Sequence, residues 1–580
     1  IIQLIDSSNL DDQYLLDEFK ESPNYKFQIN VFSELKKLFQ NTTTLGSLIQ
    51  IPKNLKINLP EIEKLTESTS HNFLIKKNLK QLKMLVNQAT QLCTQYDVVV
   101  ANPPYMGSSY QVSSLKKFLN THYSDYSKDI FTSFIDRSLS LSKPLGKLGF
   151  MTPFVWMFIV NHMKLRRRLI EEETLSTLIQ LEYSGFEGAT VPICTFTIQK
   201  NHLNSYRSCF IKLSSFRGPL NQAPKVLEAI SNPSCEWFYS TSNDEFKKIP
   251  NSPIAFWIKD KKPFLGSLIR DSFQSGGRTK THNDKKYLRF WWEVNKHSQI
   301  WNSYANRGGY RKYAGNELEI INWSENAKHF YESKGGLYPK KFWNKEGITW
   351  GLITSSKTSF RIKNSNQHYS SGAPTIFNKY FKCDYLVLAF LNSSIAELYL
   401  SGINPTLNTT VNDVMNMPLP KSNGLKVIED NTKKCISISR DDVNDYETSS
   451  EFSKNPLLNS IENPIDSLFV SFKNYSLRNK NLVKEMRSIE ETNNKILIDY
   501  FSLKDSVLSN VDEKDVTLTS NSSYRYSSKT SKESNKTRYK KDTCSEFLSY
   551  VTGCMMGRYS LDYPGLILAD SRESQEAQIS

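Results

Sequence analysis

The chain has 580 residues, of which 38% are hydrophobic and 12% aromatic, enough for about three domains with cores of their own. Its formal net charge of +15 favours a polyanionic partner, although a basic protein without such a partner can have the same composition. Eight cysteines without a C-x-x-C pair and without histidines at zinc-ligand spacing exclude a metal site of that kind and predict free thiols in a reducing cytoplasm, and no uncharged apolar run approaches the roughly 18 residues of a membrane helix.

The N-terminal part of the chain, residues 1–95, is predicted to be a helical segment that carries no catalytic residue. Apolar side chains recur at helical spacing from Asn30 to Phe39 and again from Phe73 to Leu92. The chain begins with isoleucine rather than methionine, and its first residues lack the basic region of a signal peptide. We therefore expect a piece of a longer reading frame.

A short apolar strand is predicted over Tyr96–Ala101, directly before a turn, Asn102–Tyr105, that reads Asn-Pro-Pro-Tyr. Four consecutive apolar residues, 98–101, predict a strand that is buried on both faces, as in the parallel sheet of a doubly wound fold. Ligands of such sheets bind beyond the carboxyl ends of the strands. Asn102 is therefore expected at the edge where a ligand binds.

The residue types of this turn suit the activation of an amine on an aromatic ring, such as N6 of adenine. That amine is a poor nucleophile because its lone pair is delocalised into the ring. The Asn102 side-chain oxygen and the Pro103 carbonyl can accept both hydrogens and direct the lone pair at a methyl group, while the prolines at 103 and 104 remove backbone donors. Tyr105 can stack on an extruded base. A strand that merely ends in a rigid Asn-Pro turn is the alternative.

Strands and helices alternate after Tyr105. A helix is predicted from about 128 to 141, a buried strand over 146–153, then a charged helix and a β-rich run over 191–198. This order assigns residues 96–218 to half of an α/β domain. A linker is predicted to follow over 219–250.

Aromatic and basic residues interleave with glycine over 251–425, which predicts an α+β domain of short strands and loops. Basic loops with planar side chains suit contact with phosphates and reading of bases. An aromatic β core with a solvated basic rim is the alternative. The candidate DNA contacts are Arg278, Lys280, Arg289, Arg307, Arg311 and Lys312.

The C-terminal part is predicted to contain three segments. Apolar periodicity predicts a helical spacer over 426–516. Residues 517–541 are rich in serine, threonine and lysine and predict a flexible linker. A C-terminal segment, 542–580, is expected to be ordered over its first part.

Several blocks of the sequence resemble one known family. Tyr96–Tyr105 resembles motif IV of N6-adenine DNA methyltransferases of the Asn-Pro-Pro-Tyr type. The chain as a whole resembles the PglX methyltransferases of the BREX phage-defence systems, which are similar to fused type IIG methyltransferase-specificity enzymes. The blocks that carry this resemblance are 185–192, 288–294, 404–408 and 553–562.

The resemblance implies a Rossmann-like methyltransferase domain, S-adenosylmethionine as methyl donor and double-stranded DNA as substrate, with other BREX proteins as candidate partners. It implies that Asn102 and the Pro103 carbonyl accept from adenine N6, that Pro104 holds the turn and that Tyr105 stacks on the flipped base. These roles are carried over position by position from the family's motif.

The family also supplies a second aromatic side chain to the opposite face of the base. Phe186 and Phe196 are the candidates for that role, and both can equally be core residues. Residues 251–425 resemble a target-recognition domain. The helices after it resemble the spacer that sets its distance from the catalytic site.

One element of the family is missing. The Gly-rich turn that binds S-adenosylmethionine lies upstream of the Asn-Pro-Pro-Tyr turn, yet the 101 residues before Asn102 contain a single glycine, Gly46, and no G-x-G. A fragment, a degenerate gene product or a permuted order would explain this. Permutation fails because no strand followed by a Gly-rich turn and a helix appears after Tyr105. We expect a fragment that contains only the second half of the catalytic domain.

The leading hypothesis is therefore a site-specific DNA methyltransferase that acts on adenine N6, in phage defence or restriction-modification. A second hypothesis is a catalytically incomplete fragment that only binds DNA or a partner. Methylation of a protein glutamine or of RNA is a third, against which the long basic and aromatic region speaks.

Overall fold

The computed structural model describes residues 3–8, 10, 11, 15, 20, 25–68, 72–187, 191–294, 298–354, 357–421, 425–459, 467–504, 507–526 and 530–568. The chain divides into two compact units, Ile1–Trp257 and Ile258–Ser580. Both combine helices with β-sheets, so the predicted α/β class is confirmed.

The first unit begins with helices that share a hydrophobic core. Leucines at helical spacing, among them Leu82 and Leu85, bury one face of the longest of these helices. The Asn72 side chain accepts from the Leu74 N–H at 2.9 Å and caps that helix. The helices are α1 Tyr25–Leu38, α2 Thr42–Leu45, α3 Lys53–Thr66 and α4 Phe73–Cys93.

A six-stranded mixed sheet follows, in the order β1-β2-β4-β3-β5-β6. β1 runs parallel to β2 and β3 parallel to β5, whereas β4 is antiparallel to both of its neighbours and β6 is antiparallel to β5. The strands are β1 Tyr96–Ala101, β2 Ser142–Pro153, β3 Thr174–Gln180, β4 Ile193–Gln199, β5 Arg207–Lys212 and β6 Phe238–Ser242. The helices between them are α5 Ser113–His122, α6 Ile130–Leu141, α7 Met163–Glu171 and α8 Pro219–Ser231.

A buried arginine of α6 ties the N-terminal helices to this sheet. The Arg137 guanidinium donates to the carbonyls of Ser47, Ile49 and Leu92, each at 2.8 Å. Burial lowers the pKa of Arg137, because the charged form loses water that these carbonyls replace. The end of α4, and with it the start of β1, is therefore held against α6.

β1 lies at an edge of the sheet, and the prediction that it is buried on both faces is wrong. Within the described residues it pairs only with β2, and Val98 and Val100 are 61% and 76% exposed. Both side chains point to the same face because side chains alternate along a strand. The prediction assumed packing on both faces of β1, but the face that carries Val98 and Val100 is exposed. No described strand pairs with the other edge of β1, and an unpaired apolar edge favours association with another strand.

The prediction of a linker over 219–250 is also wrong, because this segment forms a helix and a strand that belong to the first unit. It contains α8 and β6, and β6 adds a strand to the edge formed by β5. The Trp237 indole N–H donates to the Lys225 carbonyl at 3.0 Å and so joins the chain directly before β6 to α8. The local composition resembles that of a linker, but pairing with β5 makes β6 a strand of the sheet.

The second unit contains two four-stranded sheets, in the orders β13-β9-β10-β8 and β12-β11-β14-β7. Aromatic side chains, including Tyr304, Tyr331, Tyr369 and Phe377, fill the cores beside them. The strands are β7 Phe273–Ser275, β8 Leu288–Phe290, β9 Trp301–Ala305, β10 Glu319–Asn322, β11 Gly347–Trp350, β12 Phe360–Lys363, β13 Gln367–Tyr369 and β14 Thr375–Asn378.

Helices make up the rest of the second unit. They are α9 Asp284–Tyr287, α10 Glu325–Ser333, α11 Tyr385–Leu391, α12 Ser394–Ile403, α13 Val411–Met415, α14 Lys426–Asn444, α15 Pro456–Asn459, α16 Leu468–Tyr500, α17 Ser522–Arg525 and α18 Lys532–Met555. Among the helices that the structure describes, none is by itself long and apolar enough to cross a membrane; α11 and α12, bent by 66°, reach that length and apolarity only as a pair.

The flexible linker predicted over 517–541 is wrong for the described part of that segment, which excludes residues 527–529. Thr517 and Leu518 are fully buried, and α18 begins at Lys532. The Thr517 hydroxyl accepts from the Lys312 N–H at 2.9 Å. The polar composition reflects hydrogen bonding inside the unit rather than solvation of a linker.

Candidate active site

The Asn-Pro-Pro-Tyr turn lies directly beyond the carboxyl end of β1. Pro103 is buried, whereas Asn102, Pro104 and Tyr105 are exposed. β2 runs parallel to β1 and ends at Pro153, so the carboxyl ends of both strands meet at this edge of the sheet. This is the edge at which ligands of parallel α/β sheets bind.

The Tyr105 hydroxyl donates a hydrogen bond to the Asn102 side chain. Its oxygen lies 2.9 Å from Asn102 Oδ1 and 3.2 Å from the Met151 carbonyl oxygen. Partial burial raises the pKa of Tyr105. The hydroxyl is the donor of this hydrogen bond, because the amide oxygen of Asn102 can only accept.

The loop that carries Tyr105 is fastened to the N-terminus of α6. The Asp129 carboxylate accepts from the Met106 N–H at 3.1 Å and from the Phe131 N–H at 3.5 Å, and the Ile130 N–H donates to the Met106 carbonyl at 3.2 Å. The Phe131 ring meets the Tyr105 ring edge-on, with centroids 6.5 Å apart. The helix thus fixes the position of the motif, and the available signal for Asp129 was its place as the N-cap before the apolar run of α6.

The two candidates for the second stacking aromatic differ in burial. Phe196 is 1% exposed on β4, with ring centroids 5.4 Å from Phe150 and 4.9 Å from Trp156, so its prediction as a base-stacking residue is wrong. The alternation of β4 turns this ring into the core. Phe186 is 41% exposed and keeps that role as a prediction.

Sequence reasoning missed a further aromatic pair beside the end of β2. Phe154 follows that strand directly, and its N–H donates to the Pro192 carbonyl at 2.7 Å. The Tyr183 ring packs edge-on against it, with centroids 5.6 Å apart, and Tyr183 is 46% exposed. The position of Phe154 after a strand that ends in proline was the available signal.

A buried guanidinium fixes the loop after β2. Arg166 donates to the carbonyls of Trp156 at 2.8 Å, Ile159 at 2.7 Å and Asn251 at 2.9 Å. Burial lowers the pKa of Arg166 to about 9, and burial with the nearby Arg166 charge lowers the pKa of His162 to about 4. His162 is therefore neutral at pH 7, and it serves packing against Phe131 rather than proton transfer.

The described residues before β1 do not form the Gly-rich turn after a strand that would hold the methyl donor. In the part of the chain that the structure describes, two residues, Thr94 and Gln95, join α4 to β1, and Gly46 follows a short helix and not a strand. The open edge of β1 is the place where a further strand would pair.

Two of the predicted DNA contacts, Arg311 and Lys312, are wrong because both side chains are buried in ion pairs. Arg311 Nη2 lies 2.8 Å from Asp442 Oδ2, and Lys312 Nζ lies 3.0 Å from Glu490 Oε2. Burial raises the pKa of Glu490, against the effect of Lys312. These cations hold the second unit together and do not face solvent.

The other four predicted contacts are accessible. Arg278, Lys280 and Arg307 are exposed, and Arg289 is half-buried, with Nη1 donating to two nearby carbonyls at 2.7 Å. Lys280 and Arg307 line one cleft of about 1070 Å³ in the second unit. The structure therefore brings these two together.

Known proteins similar to this chain include two solved structures with bound DNA or a DNA mimic. The type IIL restriction-modification enzyme MmeI in complex with DNA is 11% identical, with a TM-score of 0.42, over 74% of this chain and 60% of that chain. The nuclease-deletion mutant of the type ISP enzyme LlaGI with a DNA substrate mimic is 12% identical, with a TM-score of 0.38, over 66% and 46%.

Two proteins found by amino-acid sequence are similar to this chain at higher identity. The adenine-specific methyltransferase BrxX of Escherichia coli O9:H4 (strain HS) is 31% identical over 97% of this chain and 46% of its own length. The adenine-specific methyltransferase PglX of Lacticaseibacillus casei (strain Zhang) is 29% identical over 84% of this chain and 42% of its own length. The chain thus spans under half the length of these relatives.

Residues 15–186 match the family model of the Eco57I restriction-modification methylase. The predicted resemblance is confirmed: over most of its length the chain is similar to the adenine-specific methyltransferases BrxX and PglX, and residues 15–186 are similar to the Eco57I methylase family.

Proposed function

We propose that this chain supplies the adenine-binding motif and the DNA-recognition part of a site-specific DNA methyltransferase that acts on adenine N6 in double-stranded DNA, in phage defence or restriction-modification. The observation that carries the proposal is the acceptor oxygen of Asn102, held 2.9 Å from a hydroxyl donor beyond the carboxyl end of β1. The proposal takes S-adenosylmethionine as the methyl donor, as the resemblance to methyltransferases implies, and it assigns no described residue to its binding. Its relatives BrxX and PglX are named as adenine-specific methyltransferases.

In this proposal the adenine amine replaces the Tyr105 hydroxyl at Asn102. One N6 hydrogen binds Asn102 Oδ1 and the other binds the Pro103 carbonyl, which draws the nitrogen lone pair out of conjugation with the ring. The exchange conserves the hydrogen bond at Asn102 and releases the Tyr105 ring to lie against the base. Exposure of Tyr105 at 39% leaves room for that movement.

Substitutions of Tyr105 separate its hydroxyl from its ring. Tyr105→Phe removes the competitor for Asn102 Oδ1 and keeps the stacking surface, so kcat/KM for DNA should stay within about threefold of wild type, whereas Tyr105→Ala should lower it by about 10- to 100-fold, the size of one base–aromatic stack. Steady-state methylation by the complete protein, meaning the product of the whole reading frame that contains this chain, measures both. Equal losses in the two variants would contradict a stacking role.

The test of the proposed function is methyl transfer itself. The complete protein is incubated with S-adenosylmethionine that carries a labelled methyl group, and the DNA is digested to nucleosides. We expect the label in N6-methyl-2′-deoxyadenosine from genomic DNA and none with a duplex of guanine and cytosine only. Label in cytosine or in protein, or no transfer to adenine-containing DNA, would overturn the proposal.

The second candidate is a module that binds DNA or a partner without catalysis, and the missing donor site favours it for the chain alone. Calorimetric titration with S-adenosylmethionine separates the two. We expect no binding to the chain alone and stoichiometric binding to the complete protein. Stoichiometric binding to the chain alone would exclude the module, and absence of binding to the complete protein would support it.

A further inference from the structure

The cleft of about 1070 Å³ in the second unit combines exposed cations with a wall of small residues. Lys280, Lys285 and Arg307 are exposed at its lining. Carboxylates of Asp284 and Glu319 also line it, so its chemistry is mixed rather than uniformly basic. Cations bind phosphates, whereas carboxylates and amides accept from or donate to base edges.

An exposed aromatic ring stands in the lining of the same cleft. Phe290 is 41% exposed and stacks on Trp292, with ring centroids 4.7 Å apart and an interplanar angle of 5°. The Phe290 N–H donates to Glu293 Oε2 at 2.8 Å, and Trp291 donates its backbone N–H to Leu318 at 3.1 Å and its indole N–H to Thr448 at 2.9 Å. The ring is therefore a preorganised flat surface and not a loose side chain.

A polar group of the cleft wall lacks a partner. Thr279 is 1% exposed and lines the cleft, and among the described residues its hydroxyl makes no hydrogen bond. Buried hydroxyls are nearly always hydrogen-bonded in folded proteins. A ligand or a water that it holds in the cleft would satisfy this group.

Gly308 and Gly309 in the wall of this cleft differ in the space available for a side chain. A Cβ on Gly308 would lie 2.7 Å from Arg361 Nη2 and from Asn316 Nδ2, so packing requires glycine there. A Cβ on Gly309 would meet nothing within 4 Å, and its φ lies outside the left-handed region. Gly309 therefore accepts a side chain without strain, and that side chain would extend into the cleft.

We propose that this cleft holds one strand of the DNA substrate where the duplex is opened, with phosphates on Lys280, Lys285 and Arg307 and with one unpaired base stacked on Phe290. The inference rests on the proposed function, since it takes DNA as the ligand. It concerns binding alone and not methyl transfer. Every base has a π-face, so the stack strengthens binding without selecting a sequence.

Phe290 is tested with two oligomers of equal length and charge, one of thymidine and one without bases. By fluorescence anisotropy the chain should bind the thymidine oligomer about tenfold more tightly, within the range for one base–aromatic stack. Phe290→Ala should reduce this preference to under about twofold, and Phe290→Trp should retain it. A preference that survives in Phe290→Ala overturns the stacking role.

Gly309 tests the cleft as the path of the strand. Gly309→Glu places a negative charge among the phosphates and should weaken binding of the thymidine oligomer by about five- to tenfold at low salt, with the loss shrinking as salt rises. Gly309→Gln, of the same size, should bind like wild type, and both variants should melt at the wild-type temperature. The proposal is overturned if Gly309→Glu and Gly309→Gln bind the thymidine oligomer with equal affinity. It is also overturned if the chain binds thymidine monophosphate as tightly as it binds the oligomer. Failure of methylation with these results intact would contradict only the proposed function.

Discussion

Asn102→Ala is expected to lower kcat for adenine methylation by at least about 10²- to 10³-fold in the complete protein, while affinity for DNA changes by less than about twofold. The substitution removes the acceptor that, in our proposal, binds one N6 hydrogen as the nitrogen becomes tetrahedral. This interaction strengthens toward the transition state, so its loss affects kcat. In our proposal, DNA affinity depends mainly on phosphate contacts of the second unit, so the substitution should change it little.

The control for Asn102→Ala is Ser109→Ala, at an exposed position of the same loop. Its kcat and DNA affinity should match wild type, which shows that the loop tolerates truncation. Labelled methyl transfer and fluorescence anisotropy with one duplex measure both quantities. Parallel loss of methylation and of DNA binding in Asn102→Ala would mean that the turn is a structural support and not an adenine site.

Asp442→Ala is expected to lower the free energy of unfolding by about 3–5 kcal/mol, the usual cost of breaking a buried ion pair. Its carboxylate binds Arg311 at 2.8 Å and accepts from the N–H groups of Thr519 at 2.6 Å and Ser520 at 2.9 Å. Removal leaves a buried cation and two backbone donors without this acceptor. Urea unfolding of the whole chain measures the loss.

Two variants control for Asp442→Ala. Asp441→Ala, on the exposed side of the same helix, should change the free energy of unfolding by less than about 0.5 kcal/mol. The double variant Arg311→Met with Asp442→Leu should be more stable than Asp442→Ala, because it removes the unpaired charge. A stability of Asp442→Ala equal to that of Asp441→Ala would contradict the buried pair.

Local patterns predicted the parts of the site that depend on neighbours in the chain. The apolar run over Tyr96–Ala101 predicted β1 with its observed bounds, and the turn after it follows the strand as expected. The helix predicted from about 128 to 141 is α6, which begins at Ile130. Each of these follows from side-chain periodicity or from the fixed φ of proline within a few residues.

Contacts between distant parts of the chain account for the errors. Arg311 and Lys312 stand in a basic, aromatic stretch that looks like a solvent-exposed loop, yet their partners Asp442 and Glu490 lie 131 and 178 positions away. Nothing in the residues next to Phe196 distinguishes it from an exposed aromatic. Its burial follows from the pairing of β4 with β2 on one side and with β3 on the other. No window of local sequence contains these partners.

The amino-acid sequence by itself determines the chemistry that Asn102–Tyr105 offers, because an amide oxygen, a proline carbonyl and an aromatic ring in one rigid turn need no other part of the chain. The positions of the other functional groups are a tertiary property. The fold decides that Lys280 and Arg307 share a cleft, that Arg311 and Lys312 are buried, and that, among the described strands, β1 pairs with β2 alone. Burial and pairing depend on which distant segments meet, and that information is spread over the whole chain.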